Sequence, residues 1–260
     1  MPVYISFAPK NIKYPYPSFS LIMTRFIALV SGKGGVGKTT STINVGQALT
    51  NLGHKTIIMD ANLVTPNLGI HLGLMNPPNS LNKFLRKEKS LKEITHLHES
   101  GLSIIPASPS YAEYQKTNVQ KLTEIFEHLD NGADFVLVDS PSGLGYEVQQ
   151  VLKNTDEVLI VANPTLSSVM DALKTIELAK ANDNMVAGII LNMTHKGWHE
   201  LRQSKVEEIL GYPVIANIKM DKKIRKSLHK QMPLNHLYKW SRSARQFKKV
   251  AEHITMQNVE

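Results

Sequence analysis

A short apolar run, Phe26-Ile27-Ala28-Leu29-Val30, leads directly into Ser31-Gly32-Lys33-Gly34-Gly35-Val36-Gly37-Lys38-Thr39-Thr40, and this junction constrains the fold more than any other stretch of the chain. The glycine-rich segment satisfies G-x-x-x-x-G-K-[ST] at Gly32, Gly37, Lys38 and Thr39. The run before it reads as a buried parallel strand. From Thr39 to Leu52, Ile43, Val45, Ala48 and Leu49 recur at helical spacing, so the glycines join a strand to a helix N-terminus. There the unpaired backbone N–H groups and the positive end of the helix dipole face an anion, and glycine lets the backbone approach it closely. Lys38 is placed to reach β- and γ-phosphates, and the Thr39 hydroxyl to ligate Mg²⁺. Lys33 adds a second lysine at the start of the loop.

The 260-residue sequence as a whole supports one α/β domain, since apolar residues at 42% can fill a full core. Alternation of apolar strands and amphipathic helices predicts a mostly parallel, twisted sheet with helices on both faces. Further strands are expected at Thr56–Met59, Leu102–Ile105, Phe135–Val138, Val158–Ala162, Val186–Leu191 and Val214–Ile218. Helices are expected at Asn118–Leu129, Tyr146–Leu152, Ser167–Ala181, His199–Leu210, Lys222–Lys230 and Ser241–Ile254. Residues 1–22 differ from the rest, carrying Pro2, Pro9, Pro15 and Pro17 among Tyr4, Phe7, Tyr14, Tyr16 and Phe19. They read as an extended or disordered arm, or as a start codon assigned too early, with docking of an aromatic arm on a partner as the alternative. Residues 23–260 then form the domain.

With no cysteine in the chain, disulfides, thiolate metal sites and cysteine-ligated iron–sulfur clusters are excluded. No apolar run approaches the roughly 18–20 residues of a membrane span, and no secretory signal is evident. The expectation is a cytoplasmic protein, peripheral at most to a membrane or nucleoid.

In open parallel sheets, ligands sit at the carboxyl ends of the strands. Asp60 follows the strand Thr56–Met59, and Asp139 follows Phe135–Val138. A lone carboxylate at a strand end is usually a cap or turn former. Two of them beside a phosphate-binding loop point to Mg²⁺, held directly or through water.

Lys33-Gly34-Gly35-Val36-Gly37-Lys38-Thr39-Thr40, Asp60-Ala61-Asn62-Leu63-Val64-Thr65-Pro66-Asn67-Leu68 and Val138-Asp139-Ser140-Pro141-Ser142-Gly143 together resemble the MinD/ParA family of deviant Walker-A P-loop ATPases, most nearly archaeal MinD-like members. The resemblance runs from about Thr24 to Ile254. It implies a P-loop NTPase fold, ATP and Mg²⁺ as cofactors, and an ATP-dependent homodimer with nucleotides sandwiched between subunits. Lys33 would reach the partner's phosphates like an arginine finger in trans. Gly34 to Thr40 would cradle the nucleotide, Asp60 to Leu68 would form a first switch segment and Asp139 to Leu144 a second, with the Gly143 N–H aimed at the γ-phosphate. Asn192 would bind the adenine edge, against the plainer reading of a strand-end turn residue. Thr39, Asp60 and Asp139 would hold the metal. A protein activator or cargo is implied, in positioning of a division site, a polar structure or another cargo.

Three departures qualify this. Asn62 stands where such proteins usually carry a second switch carboxylate; an amide orients water but does not take its proton, which implies slow hydrolysis or none. Lys219 in Ile218-Lys219-Met220-Asp221 occupies the place of a common proline beside the base. The tail after Ile254 is shorter and more polar than the lipid-binding helix of bacterial MinD proteins.

Residues 219–250 hold eleven Lys or Arg and one acid, Asp221, a local charge of +10 in a chain whose net charge is +8. A solvated helix face is the plain reading. DNA phosphates, as in ParA-like segregation proteins, or an anionic membrane surface are the functional ones.

Overall fold

The computed structural model describes residues 23–195, 197 and 199–256; the arm expected at 1–22 lies outside them. In chain order the elements are β1 Arg25–Val30, α1 Lys38–Asn51, β2 Thr56–Asp60, α2 Leu68–His71, α3 Leu81–Leu85, α4 Leu91–Ile94, β3 His96–Leu97, β4 Ser103–Ile105, α5 Tyr111–Gln115, α6 Leu122–Leu129, β5 Phe135–Asp139, α7 Tyr146–Leu152, β6 Glu157–Ala162, α8 Leu166–Lys180, β7 Met185–Thr194, α9 Gln203–Leu210, β8 Val214–Lys219, α10 Lys222–His229, α11 Leu234–Leu237 and α12 Arg242–Met256. Among the described residues one sheet in the order β3-β4-β2-β5-β1-β6-β7-β8 contains all eight strands, parallel except where β3 meets β4.

The strands are apolar on both faces because both are covered. Phe26, Ala28 and Val30 of β1 turn toward a core shared with α6, α7 and α8, including Phe126, Val151 and Ile176. Ile27 and Leu29 turn the other way, onto α1 and α12 with Ile43, Leu49, Phe247 and Val250. Phe247 is fully buried; truncating such a ring costs about 3–5 kcal/mol. At the amino end of the sheet the Arg25 guanidinium donates to both Glu157 oxygens, at 2.6 and 2.8 Å, and to the Ile254 carbonyl, fastening β1 to β6 and α12.

The expected strands and longer helices are present, with shifted ends. The segment expected to be helical from His199 becomes α9 only at Gln203, because Leu201 N–H is drawn back to the Pro164 carbonyl. The expected helix from Asn118 opens as a 3₁₀ turn, Val119–Lys121, before α6. β7 runs on to Thr194 instead of ending at Leu191.

β1 lies between β5 and β6, where the chain reverses its direction of travel across the sheet. Loops leaving neighbouring strands diverge there and open a crevice at the carboxyl end.

Candidate functional site

The turn from β1 into α1 occupies that crevice. Gly37 caps α1 at φ 97°, in the left-handed region that favours glycine, and a Cβ there would stand 2.2 Å from Asn192 Nδ2. Gly32 is pressed against α8: its Cβ would lie 2.5 Å from the Asp171 carbonyl oxygen. Gly34 and Gly35 form the exposed tip, and Val36 is buried beneath it. No acidic residue occupies the first turn of α1, so its free N–H groups keep their attraction for an anion.

The two lysines of the loop diverge. Lys38 is buried and donates to Ser31 Oγ at 2.9 Å; desolvation lowers its pKa, against the pull of Asp139. Lys33 is exposed, with Nζ 3.4 Å from Ser167 Oγ in the first turn of α8.

Asp60 and Asp139 end adjacent strands in direct register and are buried. Asp60 accepts three backbone N–H bonds, from Asn62 at 3.0 Å, Asn67 at 3.1 Å and Leu68 at 3.0 Å. Burial and the charge of Asp139 push its pKa well above the carboxylate range, which those N–H groups only partly offset. Asp139 Oδ2 accepts the Thr39 hydroxyl at 2.6 Å, and burial raises its pKa to about 6. Its Oδ1 is buried with no hydrogen-bond partner among the described residues.

The loops after these strands are held in place. Asn62 Nδ2 donates to the Thr65 carbonyl at 2.8 Å, and Thr65 N–H returns a bond to Asn62 Oδ1 at 3.2 Å. The amide of Asn62 therefore closes its own loop. Gly143 N–H donates to the Ser31 carbonyl at 3.0 Å, joining the loop after β5 to the glycine-rich turn.

A cavity of about 470 Å³ opens beside the loop, lined by Thr40, Asn192, Met193, Met220, Asp221 and Arg225 among others. Asn192 was expected at a strand end. It lies inside β7, where the register with β8 shifts between Leu191 and Thr194, and Met193 takes φ 56°, uncommon for such a side chain. From there Asn192 Nδ2 donates to the Val36 carbonyl at 2.8 Å, so the residue both lines the cavity and supports the glycine-rich loop. Both Asp221 oxygens are engaged within the chain: Oδ1 accepts Lys223 N–H at 2.8 Å and Oδ2 accepts the Ser243 hydroxyl at 2.7 Å.

The family model described as "ParA: NUBPL iron-transfer P-loop NTPase" matches residues 22–255. The chain belongs to the ParA family of P-loop NTPases. It is 32% identical to an uncharacterized ATP-binding protein of Methanocaldococcus jannaschii over 230 residues, 88% of this chain and 87% of that one. It is 31% identical to the septum site-determining protein MinD of Synechocystis over 252 residues, 91% of each chain. The MinD of Pyrococcus horikoshii, solved with Mg-ADP, superposes with a TM-score of 0.87 at 28% identity, covering 91% of this chain and 98% of that one.

The iron transfer in the family description finds no thiolate in this ParA-family chain, because it has no cysteine. Magnesium fits. The orphaned Asp139 oxygen and the Thr39 hydroxyl beside it are hard oxygen donors at the foot of a phosphate loop, with Asp60 adjacent. Bound there with a nucleotide, Mg²⁺ would neutralise charge between phosphate oxygens.

Sequence patterns did not single out Ser31, which receives Lys38, or Met193, whose backbone builds the bulge. Ser31 was detectable as the hydroxyl at the mouth of the motif. The three N–H groups on Asp60 carry no side-chain signal at all.

Proposed function

We propose that this chain is an ATPase working as a nucleotide-gated dimerisation switch in spatial positioning, with slow turnover. The observation that carries the reading is the divergence of Lys33 and Lys38: one loop buries a lysine for its own phosphates and presents another to solvent. An exposed ammonium at that edge serves a second subunit's anion better than its own. Val64, Leu144, Tyr146, Leu166 and Met170, exposed apolar side chains beyond β2, β5 and β6, supply a surface that a second copy would cover. Two lysines converging on one site repel unless a polyanion lies between them, so triphosphate would license the dimer and loss of the γ-phosphate loosen it.

Residues 23–260 would act as one unit, with Gly34 to Thr40 around the phosphates, Thr39, Asp60 and Asp139 at the metal, and Asn192 and Thr40 at the base. Adenine is favoured over guanine in the base cavity because each Asp221 oxygen already accepts one bond from within the chain, so a guanine N–H pair would have to share those oxygens. Gly143 must exchange its bond to Ser31 for the γ-phosphate. Asn62, occupied with Thr65, must likewise be released before it can orient a water, which supports slow hydrolysis. The septum-site name of the Synechocystis relative supports a positioning role, read out by a protein activator or cargo.

The test is light scattering of the full chain with ATP, ADP or no nucleotide, alongside single-turnover phosphate release. Dimers with ATP alone and slow phosphate release are expected. Dimers without any release would make the chain an ATP-dependent binding module, and a monomer with ATP would overturn the switch.

A further inference from the structure

The basic excess of residues 219–250 does not spread evenly over the surface. Part of it surrounds a concave site along the free edge of β8, the outer strand of the sheet. Between that edge and α12 lies a cavity of about 550 Å³ whose lining includes Lys219, Arg242, Arg245 and Lys249. All four side chains are exposed, and none has a hydrogen-bond or ion-pair partner among the described residues. A fifth cation, Lys248, is paired at 3.2 Å with Glu252, the one acid in the lining. The floor is amide: Asn217 N–H donates to Gln246 Oε1 at 2.9 Å, and Asn217 Nδ2 to Gln203 Oε1 at 3.2 Å. The first of those bonds occupies the Asn217 N–H on the outer edge of the strand.

Four uncompensated cations around one concavity repel each other, and an anion seated among them removes that repulsion while accepting several charge-assisted hydrogen bonds. Two of the four are arginines, whose planar forks match phosphate oxygens in pairs. The volume falls in the range of small-molecule pockets, roughly 300–1,000 Å³. A flat bilayer or a convex duplex meets only the rim of such a hollow. From these features we propose that the cleft between β8 and α12 is a binding site for a compact soluble anion bearing several phosphate groups, separate from the P-loop. Lys219 stands on the wall between this cleft and the cavity beside the P-loop, lining both. The proposal goes beyond the switch reading and does not depend on it.

Titration calorimetry of the full chain with inorganic tripolyphosphate in magnesium-free buffer tests it, because the P-loop and the cleft are separable by mutation. Wild type should show two classes of site. Lys38→Ala should lose the P-loop class and keep the other. Arg242→Ala/Arg245→Ala should weaken the cleft class by about tenfold or more while keeping the P-loop class, with unchanged circular dichroism and melting. Retention of both classes in the double variant would overturn the proposal; failure of Lys38→Ala to remove a class would count only against the P-loop reading. A 20-base-pair duplex and phosphatidylglycerol vesicles form the other arms. If wild type binds either of these through Arg242 and Arg245 but shows no saturable tripolyphosphate site there, the occupant is an extended polyanion and the compact-anion proposal is wrong.

Discussion

Asp60 and Asp139 stand opposite each other at the ends of β2 and β5, two buried carboxylates in register, and among the described residues no lysine is hydrogen-bonded to either, the nearby Lys38 donating to Ser31 instead. Backbone N–H groups support one and the Thr39 hydroxyl the other. Without a cation between them, ionising both is unfavourable, and the pair is built at the expense of the metal-free fold.

That relationship gives a pH prediction. In the unfolded chain Asp139 ionises near 3.8, whereas in the folded, metal-free protein burial holds its pKa at about 6. Because the unfolded state releases its proton first, stability falls as pH rises across this window and does not recover above it. Asp60, raised in the same direction, adds to the effect. Asp139→Asn should therefore melt higher than wild type by a few degrees, roughly 2–6 °C, in EDTA above pH 6, with the two converging near pH 4. Scanning calorimetry from pH 4 to 8 measures this. A variant that melts at or below wild type at pH 7.5 would show that the two carboxylates do not oppose folding.

Lys33→Ala should leave nucleotide affinity within about twofold of wild type and abolish ATP-dependent dimers, because the side chain is exposed and makes only a long contact to Ser167. Fluorescent-nucleotide titration gives the first quantity and light scattering the second. Persistence of ATP-dependent dimers in this variant would remove Lys33 from the interface.

The glycine-rich turn was legible because its geometry is local: a left-handed Gly37, a strand before it and a helix after it all lie within one short stretch. Asp60 and Asp139 were legible as strand ends, but their register is a property of the sheet. The bulge at Asn192 and Met193 was not legible, since it arises from a register shift against β8 that no pattern within β7 encodes. Helices α2 to α5 and α11 are four or five residues long, too short for helical periodicity to accumulate. Strand β3 has two residues and exists only through its pairing with β4. The positive charge of residues 219–250 was plain, whereas its gathering around a hollow depends on how α12 packs beside β8.

Asn62→Asp should raise the rate of phosphate release several-fold, on the order of 10-fold at most. The amide now donates to the Thr65 carbonyl, and a carboxylate would face that oxygen without a proton to offer. The loop would loosen, and the new carboxylate could act as acceptor for an attacking water. Single-turnover phosphate release with saturating ATP is the measurement. An unchanged rate in a folded variant would mean that water is positioned from elsewhere.

Asn192→Asp separates support of the loop from contact with the base. The substitution keeps the shape of the side chain but replaces the Nδ2 donor, 2.8 Å from the Val36 carbonyl, with a second acceptor. Two buried oxygens then oppose each other directly under Gly37, where the space is already too small for one added carbon. The loop must shift, and the phosphates lose their fit. Affinity for ADP should fall about tenfold or more, and affinity for inorganic tripolyphosphate at the P-loop should fall with it, although that probe has no base. A loss confined to ADP, with tripolyphosphate binding intact, would instead make Asn192 a base-reading residue whose bond to Val36 is incidental.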